Sequence, residues 1–376
     1  MRWAIVTVLS LVVVNSLAAQ AGDSIRGQAL LNDQGCLSCH SVGEVGGREA
    51  PDLGQPTEQV FSPAAFAASV WNHVPEMWAS MAAQNRDEPQ ISDQGMRDLF
   101  AYLYSVRYFE PSGDARRGET IYQEKQCYRC HALVETGTSG IGPSIAQWRA
   151  PLDLVLFLEN MWNHSEAMNR ERQLDELMWP TFTISEMADM LAYIYNLPSI
   201  PSTPARLQLG NPAAGMKVFE DLACSKCHSV LEDDPDLLAF AQSEREHRTI
   251  TGLAVAMWNH RPIMDEWSKE TGLPIRNFEQ GQMGQLLSYL FEEGFLEERG
   301  NAERGELLYA DKGCAQCHDN GIGDPLPRKS YTVTDMTAGM WRHGPEVRQA
   351  MRDQGMTWPR LSARDIADLV DWLNGR

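Results

Sequence analysis

Positive charge is scarce in this chain, with 32 Lys and Arg against 51 Asp and Glu, a formal charge of −19 and a pI near 4.9. That balance argues against a nucleic-acid partner, because phosphates demand a basic surface. It reads first as a solvated surface that keeps the protein soluble, and it allows basic protein partners without requiring them. Long apolar runs are equally rare. The clearest spans 4–14, behind Arg2 and ahead of small residues ending in Ala19-Gln20-Ala21; it is short for a membrane span of about twenty residues and reads as a secretory signal peptide over 1–21. The expected location is therefore periplasmic or otherwise exported, with peripheral or no membrane contact unless that segment stays as an uncleaved anchor. No alternation of apolar and polar residues is long enough to suggest a sheet, so the fold class is all-α. A Ser-His-Asp array, a Gly-rich phosphate loop and a second metal cluster are also missing, which disfavours hydrolytic and nucleotide chemistry.

What is present repeats. The eight cysteines fall into four strings: Cys36-Leu-Ser-Cys39-His40, Cys127-Tyr-Arg-Cys130-His131, Cys224-Ser-Lys-Cys227-His228 and Cys314-Ala-Gln-Cys317-His318. A period of about ninety residues means four small units. A glycine stands nine residues before each string (Gly27, Gly118, Gly215, Gly305), three of them after an arginine, and a large apolar residue follows four later (Leu31, Tyr122, Phe219, Tyr309). That spacing predicts a short opening helix. Each unit closes on an amphipathic pattern carrying Tyr102, Tyr193, Tyr289 or Trp372, which predicts a closing helix. Turn-rich or charged joints separate the units at 110–118, 198–205 and 297–305, giving domains over 22–110, 111–201, 202–298 and 299–376.

On a helix, the two cysteines and the histidine of C-x-x-C-H share one face. Two thiols can then bond to the edge of a planar ring while the imidazole rises beneath its centre, and the string is the attachment signature of c-type haem. A zinc site would need two further ligands, and a redox dithiol would not come four times with four histidines. The expected cofactor is four covalent haem c groups with iron, held by the twelve Cys and His of these strings.

With its first-helix glycine, C-x-x-C-H and closing aromatic-aliphatic pair (Tyr102-Leu103, Tyr193-Ile194, Tyr289-Leu290, Trp372-Leu373), the chain resembles four tandem mono-haem class I type cytochrome c domains over about residues 23–376. The resemblance implies that the first and last helices cross at the glycine. It also implies that the carbonyl of a proline after the haem histidine (Pro51, Pro143, Pro235, Pro325) accepts a hydrogen bond from that imidazole, with a looser match in the last two units.

The family usually places its second iron ligand on a methionine beyond the third helix, often followed by proline, and this chain has no such Met-Pro pair. It repeats Trp71-Asn-His73, Trp162-Asn-His164, Trp258-Asn-His260 and Trp341-Arg-His343 instead. Distal candidates are therefore His73, His164, His260 and His343, with Met77, Met168 and Met264 four residues on as alternatives, and Met351 or Met356 in the fourth unit, where Val347 replaces methionine. The tryptophan reads as core. A proline two residues past the histidine (Pro75, Pro262, Pro345) predicts a broken or kinked helix that frees the side chain toward iron. The ninth histidine, His247, reads as a solvated loop residue. The function expected is an electron carrier passing single electrons between redox partner proteins. A multihaem enzyme with one open iron acting on a small substrate is the alternative, and haems as mere structural staples a third.

Overall fold

The computed structural model describes residues 22–43, 45–55, 61–108, 113–134, 141–145, 153–198, 200, 207–228, 250–292 and 300–376. The predicted leader, Pro235, His247 and the joints at 110/111, 201/202 and 298/299 lie outside the described residues. Four ten-residue helices open the units: α1 (Ser24–Asp33), with α4 (Ala115–Glu124), α7 (Pro212–Asp221) and α10 (Ala302–Asp311). Each starts behind an Asp or Asn (Asp23, Asp114, Asn211, Asn301) whose side chain accepts first-turn backbone N–H groups, satisfying donors that a helix start leaves open.

The closing helices are α3 (Asp93–Tyr108), α6 (Ile184–Tyr195), α9 (Gln282–Glu292) and α13 (Ala363–Asn374). They cross the opening helices at the expected glycines. A Cβ on Gly27, Gly118, Gly215 or Gly305 would lie 1.9–2.1 Å from a carbonyl oxygen of the closing helix and 2.6–2.7 Å from the Cβ of Tyr102, Tyr193, Tyr289 or Trp372. Only a residue without a side chain allows that approach. The neighbouring arginine is explained too. Arg26, Arg117 and Arg304 make two-pronged bonds to Asp98, Asp189 and Asp368, which also accept the backbone N–H of Asp23, Asp114 and Asn301. The third unit has Ala214 and Gln285 at the two places, so acid and base are absent together.

A long helix stands between: α2 (Pro63–Ala83), α5 (Leu154–Leu174), α8 (Ile250–Thr271) and α12 (Val333–Asp353), with α11 (Cys314–His318) before the last. Pro75, Pro262 and Pro345 lie inside continuous helices, which corrects the expected break. Proline removes one N–H and leaves the carbonyl four residues back unbonded by the helix. That carbonyl belongs to Trp71, Trp258 or Trp341, and two of the three have found another donor: Trp358 Nε1 gives to Trp71 O at 3.1 Å, and Trp179 Nε1 to Trp258 O at 3.1 Å.

Among the described residues, strands are confined to two ladders of two-residue strands. β1 (Gly22–Asp23) pairs with β4 (Gln208–Leu209), joining the starts of the first and third units, and β2 (Ser41–Val42) pairs with β3 (Val45–Gly46). Elements this short carry no readable alternation.

The units associate out of chain order. Helices α2 and α12 bring the first unit against the fourth, and α5 and α8 the second against the third. The first also meets the third, where Ile250 N–H gives to the Tyr104 hydroxyl at 3.2 Å. One apolar core runs through the first three units and takes in Ala338 of the fourth, and a second joins Ala64, Ala67, Ala68 and Trp71 of α2 to Tyr309, Leu361 and Ile366 of the fourth.

Candidate haem sites

The C-x-x-C-H strings follow a left-handed residue, Gly35, Gln126, Ala223 or Gly313, at φ of 60–84°. Three of the four then form a 3₁₀ turn (Cys36–Ser38, Cys127–Arg129, Cys224–Lys226) and only the last an α-helix. In the three turns the histidine N–H still closes on the first cysteine's carbonyl, at 3.0, 2.9 and 2.8 Å, so the string stays curled on itself. None of the eight cysteines is in a disulfide. Burial pushes the Cys127 and Cys224 thiols up to about 11 and raises those of Cys36 and Cys314. A redox dithiol needs the opposite shift, toward thiolate.

The ring of His40 donates from Nδ1 to Pro51 O and that of His131 to Pro143 O, both at 2.9 Å. His318 donates instead to Asp324 O at 2.7 Å, one residue before Pro325. The shorter spacing in the fourth unit moves the acceptor back by one residue. The acceptor expected for His228 lies outside the described residues. With Nδ1 so engaged, Nε2 is the nitrogen left for a metal, and such a bond fixes ring orientation and raises ligand basicity.

Across from each of these imidazoles stands the histidine of the Trp-x-His string. Ring centroids are 5.8 Å apart for His40 and His73, 5.6 Å for His131 and His164, 6.2 Å for His228 and His260, and 6.0 Å for His318 and His343, with planes inclined by 59–79°. Two imidazoles that shared one metal through Nε2, at about 2 Å each and with each Nε2 about 1 Å from its ring centre, would have their ring centres about 6 Å apart. The residues present therefore fit a haem between them. His343 donates from Nδ1 to Gly339 O at 2.7 Å, leaving its Nε2 available. Burial first, and then the facing imidazole, lowers the pKa of His73 and His164 from the ordinary histidine value; the neutral form that results is the one that ligates metal. Among the described residues no group of three or more His, Cys, Asp or Glu gathers into a direct metal cage.

The alternative methionines are one turn beyond the histidine in three helices: Met77, Met168 and Met264 are partly buried, with Met168 and Met264 packed against the main core. Met351 is buried at the end of α12, and the Met356 methyl lies beside Gly313, 2.6 Å from where a Cβ there would be.

The Trp and Asn of the repeated string do something the sequence did not reveal. Trp71, Trp162, Trp258 and Trp341 donate from Nε1 to the carbonyls of Pro359, Arg276, Pro180 and Pro89, each in the paired unit, at 2.6–3.0 Å. Asn72, Asn163 and Asn259 give and accept a bond with the backbone of Leu361, Phe278 and Phe182, at 2.7–2.9 Å. The tryptophan is thus core and clasp at once.

No curated protein and no solved structure matches the chain. Residues 300–373, which hold Cys314, His318 and His343, match the family described as Cytochrome C oxidase, cbb3-type, subunit III. Residues 24–107, which hold Cys36, His40 and His73, match Cytochrome c. The chain therefore contains cytochrome c domains, and they support covalently bound haem c and a haem-based role in electron transfer.

Proposed function

We propose that the protein is an exported tetrahaem c-type cytochrome whose four units each hold one haem between two histidines: His40 and His73, His131 and His164, His228 and His260, His318 and His343. The observation that carries this reading is the recurrence of one imidazole spacing, 5.6–6.2 Å, in all four units, including the second and third, which lie outside both family matches. Methionine at the +4 place is absent from the fourth unit, whereas the histidine is in every one. When bound, a haem iron gives and takes single electrons between its ferric and ferrous states. The protein's share is to anchor the ring through two thioethers and to orient the imidazoles, as the Nδ1 bonds of His40, His131, His318 and His343 do. A facing imidazole in each unit leaves no open position, so transfer of electrons is favoured over chemistry on a small substrate.

Export rests on the apolar segment at 4–14 with its small-residue end. No helix among the described residues is long and apolar enough to cross a membrane. The charge of −19 suits redox partners that present positive charge, which speeds encounter. A pyridine haemochrome assay with intact-mass spectrometry should count four haems per chain, and electron paramagnetic resonance should show low-spin iron throughout. Two haems, or bound zinc, would end the proposal.

A further inference from the structure

The helices that carry the distal histidines are gripped from outside their own unit. On α2, α5 and α8 the two residues before the histidine are Trp and Asn, and both bond to the backbone of the paired unit: α2 to 359–361, α5 to 276–278, α8 to 180–182. The asparagine bond is two-pronged, Oδ1 accepting an N–H and Nδ2 giving to the carbonyl of the same residue. It fixes rotation about the helix axis and not merely proximity. The grip is reciprocal. Asn163 of the second unit holds the third, while Asn259 of the third holds the second, as in an isologous interface folded into one chain.

Rotation is the coordinate that matters for ligation. A histidine Nε2 lies about 6 Å from the axis of its helix, so a turn of about 10° moves it by about 1 Å, whereas metal–ligand distances hold to about 0.2 Å. An anchor on the adjacent residue removes that freedom. The segments supplying it come just before the closing helices, so the paired unit's own fold holds them still.

We propose that Asn72, Asn163 and Asn259 are positioning residues for His73, His164 and His260, and that distal ligation of iron in each unit depends on the backbone of its partner, first with fourth and second with third. This rests on the two-histidine reading above. The fourth unit is the exception that makes the idea testable. Arg342 replaces asparagine there; it reaches Ile91 O only at 3.4 Å and pairs with Asp93 at 2.5 Å, both side chains about 40 % exposed. An exposed ion pair holds weakly and is screened by salt. The distal histidine of the fourth unit should therefore be the one that salt loosens.

The test uses the full-length holoprotein and carbon monoxide, which binds ferrous haem only where a distal ligand has yielded. The parent at low salt should take up none; Asn163→Ala should take it up at one haem of the four, with a shifted midpoint potential for that haem. In about 1 M salt the parent should begin to bind it at one haem, and Arg342→Asn, which installs the two-pronged grip, should abolish the salt effect. Because Arg342→Asn adds a contact, the test survives if Asn163→Ala fails to fold. A low-spin parent whose carbon monoxide uptake and potentials are the same in both variants and at both salt levels would overturn the clasp alone. A near-infrared sulfur-to-iron band, or uptake at several haems in the parent at low salt, would overturn the two-histidine reading beneath it.

Discussion

Replacing Gly118 with alanine is the sharpest test of how each unit is built. The new Cβ would lie 2.1 Å from Asp189 O and 2.6 Å from Tyr193 Cβ. Carbon and oxygen in ordinary contact stand about 3.3 Å apart, so α4 and α6 must part by about 1 Å. A gap of that size forfeits roughly a quarter to a half of each dispersion well along the contact. Ile121, Tyr122, Met190 and Ile194, all buried, would lose packing, and the Arg117–Asp189 bonds of 2.8 and 2.9 Å would stretch. The expected cost is about 3 kcal/mol, or a fall of roughly 12–24 °C in the midpoint of a unit of about ninety residues. Scanning calorimetry of the holoprotein would read it, with limited proteolysis locating the damage to 113–198. Gly339→Ala is the control. It too is a helical glycine, but a Cβ there meets nothing within 4 Å, and the same place in the third unit is already Ala256. It should gain up to about 1 kcal/mol from helix propensity. Equal effects at the two sites, or a Gly118→Ala protein as stable as its parent, would refute the crossing argument.

Three further outcomes are expected. The Arg117 guanidinium holds the Asp189 carboxyl below the usual carboxylate range; its stabilisation should be complete above about pH 4 and fade as pH falls through the lowered value, so the gap in thermal midpoint between parent and Asp189→Asn should narrow in acid, and a gap independent of pH would count against the pairing. His164→Ala should leave one haem high-spin or move Met168 onto its iron with a rise in potential, while Met168→Ala changes little; the reverse pattern in visible and near-infrared spectra would assign the iron to methionine. Ala223 sits at φ of 63° just before Cys224, where Gly35 and Gly313 serve the first and fourth units; Ala223→Gly should raise the thermal midpoint through relief of about 1 kcal/mol of backbone strain, and a lower midpoint would show that the strain is not there.

The sequence alone determined what is local. Four C-x-x-C-H strings, the glycine nine residues before each and the aromatic of the closing helix are spacings within one unit, and steric exclusion at a helix crossing leaves little choice of residue. The helical class was legible in the periodicity itself, whereas the crossing at Gly27, Gly118, Gly215 and Gly305 followed only from the family resemblance that these spacings carry. The proline rule misled, because it describes an isolated helix. In the folded chain the carbonyl that Pro75 leaves behind is taken by Trp358, 287 positions away. Two-residue strands are too short to show a period, and a 3₁₀ turn has nearly the spacing of a helix, so neither was readable. Which units pair was decided only by the tertiary structure. Trp71 meets Pro359 across 288 positions and Trp162 meets Arg276 across 114, and they do so through backbone carbonyls, which every residue possesses. A bond whose acceptor is common to all twenty amino acids leaves no mark on the identity of its partner, and for that reason the bonds that Trp and Asn make beside His73, His164 and His260 appear only once the four units are packed together.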